Sequence, residues 1–244
     1  RVNVPAGETL EATLRSLDGT GQNELYLRHE GLPDSIHYDA IFGGALNPDQ
    51  TASVPLTQAG WYYVLARGVS TPAAAAPIRL STRLVPFGIT DVRPDAGGDS
   101  RYVTMTITGA KFDASAVVKL IRPQIAEYEP VNYRVVSATT IIATFDLRNA
   151  PHGLYDLQVA NPDGQVSRVP YRYLVEAALP IDVTVGIGGP STLELGSVGW
   201  YRYSILSLTN VDTPYVHVEF GMPNLPSRDI GTWLAWLDND TGAE

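Results

Sequence analysis

The run Val103-Thr104-Met105-Thr106-Ile107-Thr108 alternates strictly between apolar and hydroxyl side chains. Successive side chains of an extended chain point to opposite faces, so Val103, Met105 and Ile107 share one face and the three threonines the other. This is the pattern of a strand with one side in a core and one in water. The same period recurs in Leu10, Ala12 and Leu14, set against Glu11, Thr13 and Arg15, and in Ile141, Ala143, Phe145 and Leu147. It returns in Tyr155, Leu157 and Val159, in Tyr201, Tyr203 and Ile205, and in Val216, Val218 and Phe220. No stretch carries a convincing helical period.

Turn chemistry separates these runs. Asn161-Pro162-Asp163-Gly164 combines a proline that fixes φ with an Asp-Gly pair that tolerates positive φ, and Asp18-Gly19 and Pro151-His152-Gly153 read alike. The 22 Gly and 18 Pro lie scattered between short apolar runs. Turns spaced by about ten residues, with no helix between strands, predict β-sandwiches. The length of 244 residues allows more than one.

Two places read as boundaries: Leu84 to Thr90, LVPFGIT, and Glu176 to Pro180, EAALP. They divide the chain into residues 1–85, 86–176 and 177–244, the last read as a partial module. The stretch Ser70 to Pro77, STPAAAAP, is read as a hairpin loop, because Trp61 to Arg67 and Ile78 to Val85 are both strand-like.

The balance of 17 basic and 26 acidic side chains gives a net charge of −9, with no Lys/Arg run. Phosphate-backbone binding needs clustered cations, so nucleic acid is not an expected partner. The same charge disfavours an anionic membrane surface. Without cysteine the chain has no disulfide, thiolate metal site or thiol nucleophile. No segment approaches the roughly 18 consecutive apolar residues of a membrane span, so no membrane insertion is expected. The opening residues RVNVPAGETL lack a signal-peptide layout, and an export signal is expected upstream of what reads as a fragment of a larger protein.

Val4-Pro5-Ala6-Gly7, Glu24-Leu25-Tyr26-Leu27-Arg28, Tyr38-Asp39 and Ala59-Gly60-Trp61-Tyr62-Tyr63-Val64-Leu65 occur in the order found in the bacterial pre-peptidase C-terminal (PPC) domain. Residues Val2 to Val85 resemble that family, with Glu24 where it shows Asp. The resemblance implies a jelly-roll sandwich appended to secreted peptidases and other exported proteins, some of whose relatives bind calcium and matrix. Ile89 to Pro94, Gly97-Gly98, Val103 to Phe112, Gly153-Leu154-Tyr155-Asp156-Leu157-Gln158-Val159 and Asn161-Pro162-Asp163-Gly164 resemble an immunoglobulin-like IPT/TIG domain. That likeness implies a spacer or interaction module in extracellular bacterial proteins. From Leu179 onward the chain resembles the additive, CARDB-like Ig-like domains of bacterial surface proteins. The expected fold is therefore all-β: a jelly-roll-like sandwich, an immunoglobulin-like one, and a partial third Ig-like one.

The candidate chemistry is sparse. His29, His37, His152 and His217 fall in separate modules or loops without zinc spacing and read as surface or turn residues. A triad of Ser35, His37 and Asp34 or Asp39 lacks a nucleophile elbow, and neighbours on an extended segment diverge. Glu127 with Glu129 read as solvated turn acids. Calcium is the one metal considered: Asp238-Asn239-Asp240-Thr241-Gly242 alternates oxygen donors, making Asp238 and Asp240 weak candidates, with Asp95, Asp99 and Asp113 behind them. Among the aromatics Trp61, Tyr62, Tyr63, Trp200, Tyr201, Tyr203, Trp233 and Trp236, the core reading is preferred to sugar stacking. Because Trp61 and Tyr62 alternate, one of them must face outward. Trp61, Tyr63, Trp200 and Trp236 are the candidate ligand-binding residues. Neither a catalytic residue nor a cofactor is expected. The expected function is a non-catalytic spacer or adhesion-type segment of a secreted or cell-surface bacterial protein. Its partners would be a protein or carbohydrate at the cell exterior and neighbouring modules of the parent chain. The alternative is a carbohydrate- or matrix-binding accessory region of a secreted hydrolase or peptidase.

Overall fold

The computed structural model describes residues 1–70, 77–190, 192, 200–219, 232–238 and 242–243, with backbone alone at 214 and from 217 onward. Among these residues there is no helix, and the strands fall into several sheets, consistent with sandwiches in tandem.

The first seven strands are β1 (Val2–Val4), β2 (Thr9–Ser16), β3 (Gln22–His29), β4 (Ala40–Ile41), β5 (Gln50–Val54), β6 (Gly60–Ser70) and β7 (Ile78–Val85). One sheet runs β1-β6-β3-β4 and the other β5-β2-β7. The alternation foreseen in β2 holds: Leu10, Ala12 and Leu14 are buried with Val4, Leu25, Leu27, Ala52, Val54 and Tyr62 in one core. The expected hairpin across residues 70–77 does not form. β6 pairs with β1 and β3, whereas β7 pairs with β2, so the two strands lie in different sheets. An alternating pattern says that a segment is a strand but not which strand it joins. Residues 71–76 lie outside the described residues.

The next nine strands are β8 (Gly88–Arg93), β9 (Ala96–Gly98), β10 (Tyr102–Ala110), β11 (Val117–Arg122), β12 (Ala126–Tyr128), β13 (Asn132–Ser137), β14 (Thr140–Asp146), β15 (Gly153–Ala160) and β16 (Val166–Glu176). The sheet β13-β14-β10-β8 corresponds, in that order, to the fourth, fifth, second and first strands of an immunoglobulin-type sandwich. The sheet β12-β11-β15-β16-β9 supplies the remainder, with β9 parallel to β16. Val103, Met105 and Ile107 are fully buried, as the alternation requires. They pack with Val118, Leu120, Ile141, Ala143, Phe145, Tyr155, Leu157, Val159 and Tyr173 in a second core separate from the first.

Beyond it lie a hairpin of β17 (Val183–Gly188) with β18 (Arg202–Ser207), and a sheet of β19 (Thr213–Glu219), β20 (Thr232–Asp238) and β21 (Gly242–Ala243).

Candidate functional site

β6 separates its aromatics as the alternation predicts. Tyr62 is buried in the first core, while Trp61 is 37% exposed with the Arg1 guanidinium 4.4 Å above its ring. Tyr63 is half-buried. Trp200 is 86% exposed, and Tyr201 and Tyr203 stand about half in solvent. The core reading therefore holds for Tyr62 and fails for Trp61, Trp200, Tyr201 and Tyr203. No ring contact joins Trp61 or Tyr63 to Trp200 among the described residues. The side chains of Trp233 and Trp236 lie outside them.

The candidate acids and histidines whose side chains are described are engaged in local structure; the side chain of His217 lies outside the described residues. Asp34 Oδ1 accepts the N–H groups of Ile36 and His37, and its carboxylate meets His37 Nδ1 at 2.9 Å. Those hydrogen bonds, the His37 ring foremost, hold the Asp34 carboxyl down to about 2. Asp39 turns away and accepts the His29 N–H at 2.6 Å, so no relay forms. Glu127 and Glu129 both grip Lys119, at 2.7 and 2.9 Å, and raise its ammonium to about 12. Asp113 caps its own turn through Ser115, and Asp95 lies 3.8 Å from Arg172. Asp238 closes β20 by pairing with Gly242 of β21, and Asp240 lies outside the described residues. Among the described residues, no group of three or more His, Asp or Glu is placed to share a metal ion.

Two tyrosines that periodicity alone could not single out anchor turns. The Tyr155 hydroxyl donates to the Pro151 carbonyl at 2.8 Å, the arrangement known in immunoglobulin-type sandwiches as a tyrosine corner. Tyr62 makes the counterpart in the first sandwich, its hydroxyl accepting the Gln58 N–H at 3.0 Å. Each tyrosine follows a glycine by two residues, and those glycines adopt φ of 140° at Gly60 and 138° at Gly153, which favours glycine. The sequence signal is Gly-x-Tyr, shared by Gly60-Trp61-Tyr62 and Gly153-Leu154-Tyr155.

Polar groups converge where the third unit meets the second sandwich. The segment between β18 and β19 inserts Val211, 1% exposed, into the second core. The Asp212 N–H donates to the Tyr102 carbonyl at 2.9 Å, and the Asp212 carboxylate accepts the Thr104 N–H at 2.8 Å and the Thr104 hydroxyl at 2.7 Å. The Asn210 carbonyl accepts the Gly98 N–H at 2.8 Å. Its side-chain oxygen takes the Leu179 N–H at 2.8 Å, and its amide donates to Glu176 and to the Ala177 carbonyl. Asp99 accepts the Ala178 N–H at 3.0 Å and meets His152 Nε2 at 2.8 Å, and these bonds, the one to His152 foremost, hold its carboxyl below the ordinary value. Gly98 is required by contact: a Cβ there would lie 2.7 Å from the Ala178 Cα, Asn210 Oδ1 and Val211 Cγ1.

Searches of protein-family models and of curated proteins return no match for this chain. No helix among the described residues is long and apolar enough to cross a membrane.

Proposed function

We propose that this chain is a non-catalytic structural segment of a larger exported bacterial protein, in which β-sandwich modules in series act as a stiff spacer or adhesion stalk. The observation that carries the reading is Val211: a residue from beyond the second sandwich completes that sandwich's core. Burying a valine from the neighbouring unit contributes about 1.5–3 kcal/mol that is lost whenever the units separate, so the joint resists bending. The resemblances to PPC, IPT/TIG and CARDB-like modules fit this reading, and so does a location at the cell surface or exterior. Small-angle scattering tests it. The second sandwich and the third unit are expected to keep one relative orientation, unchanged by moderate salt; free reorientation of these two units would sink the proposal.

A second reading, a carbohydrate- or matrix-binding accessory region of a secreted hydrolase, draws on Trp200, whose ring stands almost wholly in solvent beside Tyr201. Exposed aromatic faces stack on sugars and on apolar partner surfaces. A glycan-array screen of wild type against Trp200→Ala decides it: binding lost in the variant supports this reading, and binding unchanged removes it.

A further inference from the structure

The outer face of the sheet containing β13 and β14 carries a groove of about 520 Å³, within the range of small-ligand sites, lined by Asn132, Tyr133, Arg134, Ile142 and Thr144. Its register is informative. Asn132 pairs with Thr144 and Arg134 with Ile142, and opposed residues of an antiparallel pair present their side chains on one face. The groove therefore holds a guanidinium, a carboxamide and a hydroxyl around an aliphatic floor, with Tyr133, 41% exposed, on the edge strand.

Two features define what would fit. Arg134 has no ion-pair or hydrogen-bond partner among the described residues. Arg15, Arg67, Arg83, Arg148, Arg168 and Arg172 each hold an Asp or Glu carboxylate. The second feature is the direction of a hydrogen-bond chain. The Thr104 hydroxyl gives its one proton to the Asp212 carboxylate, which can only accept, so in the 2.9 Å contact between the Thr104 and Thr144 hydroxyls Thr144 is the donor. Thr144 thus offers the groove only lone pairs. The groove presents a fork of guanidinium donors beside a hydroxyl acceptor and an amide of both kinds. A carboxylate next to a sugar hydroxyl, over an apolar ring face resting on Ile142, satisfies all of them.

We propose that this groove is a subsite for a carboxylate-bearing sugar, a uronic acid residue of an acidic glycan. The inference stands independently of the spacer reading. Calorimetric titration of the whole chain with a galacturonic acid tetramer, a galactose tetramer and sodium acetate tests it. The acidic tetramer is expected to bind, the neutral tetramer at least about tenfold more weakly, and acetate not measurably. Arg134→Ala should weaken the acidic tetramer by at least about tenfold, and Arg134→Lys by less, because an ammonium keeps the charge but not the fork. Arg79→Ala, which removes an exposed arginine from β7, should leave binding unchanged. Arg134 is itself exposed, so its variants are expected to melt with the wild type. The proposal is overturned if the acidic tetramer fails to bind at millimolar concentration, if Arg134→Ala binds it equally, if the neutral tetramer matches it, or if acetate binds as tightly as the glycan.

Discussion

The two joints of this molecule are built on different physical principles. Between the first and second sandwiches the contact is peripheral. Lys111 meets the Glu8 carboxylate at 2.5 Å and its N–H reaches the Thr9 hydroxyl at 3.3 Å. Phe87 stacks edge-on against Phe112 of its own sandwich rather than reaching across. Between the second sandwich and the third unit, by contrast, a buried valine is flanked on both sides by hydrogen-bonding side chains, Asn210 and Asp212. A partly exposed ion pair is worth little and is screened by salt, while apolar burial is indifferent to salt. On these contacts the first joint is expected to be the softer and more salt-sensitive of the two.

That contrast can be broken most decisively at Val211. Val211→Asp places a charge in an apolar core and is expected to cost about 3–5 kcal/mol, read as a fall in the denaturant midpoint of the second sandwich. An unchanged midpoint would mean that the valine is not seated there in solution. Asp212→Ala leaves the Thr104 N–H and hydroxyl without their acceptor and should cost about 1–3 kcal/mol by the same assay. Gly98→Ala forces a methyl onto three neighbours and is expected to cost about 1–3 kcal/mol while loosening the joint in small-angle scattering. Lys111→Ala should cost under about 1 kcal/mol, and less still in high salt; a larger loss would erase the distinction between the joints.

The gentlest test is acid titration. The Asp99 carboxyl is held below its ordinary 3.8 in the folded chain by His152 and the Ala178 N–H. Its contribution to stability is therefore complete above about pH 4 and lost as pH falls through the lowered folded value. Asp99→Asn should lower the melting temperature most above about pH 4, where the carboxylate's contribution is complete, and converge with the wild type as the pH falls through the lowered folded value.

The strands with strict alternation were legible because alternation is a local signal: Val103 to Thr108 and Leu10 to Leu14 needed no partner to be recognised. The joint was not. Thr209-Asn210-Val211-Asp212-Thr213 reads as polar turn chemistry, and nothing local to a lone valine says whose core it enters. The same limit explains β6 and β7, visible as strands but misassigned as a hairpin. It explains the outer groove too, since Asn132 and Thr144 meet only through register. The tyrosine corners lie between these cases. Gly60-Trp61-Tyr62 and Gly153-Leu154-Tyr155 share a readable spacing, yet their hydroxyl partners at Gln58 and Pro151 emerge only from the fold.

Val211 also bears on how such a chain can be assembled over generations. Recombination that exchanges segments at Glu176 would deliver the second sandwich without a residue its interior uses. Descendants of that exchange would inherit a hole unless the new neighbour supplied a small apolar side chain at the same point. The unit on which selection acts is therefore longer than the sheet-bounded sandwich, and the second and third pieces are expected to travel together.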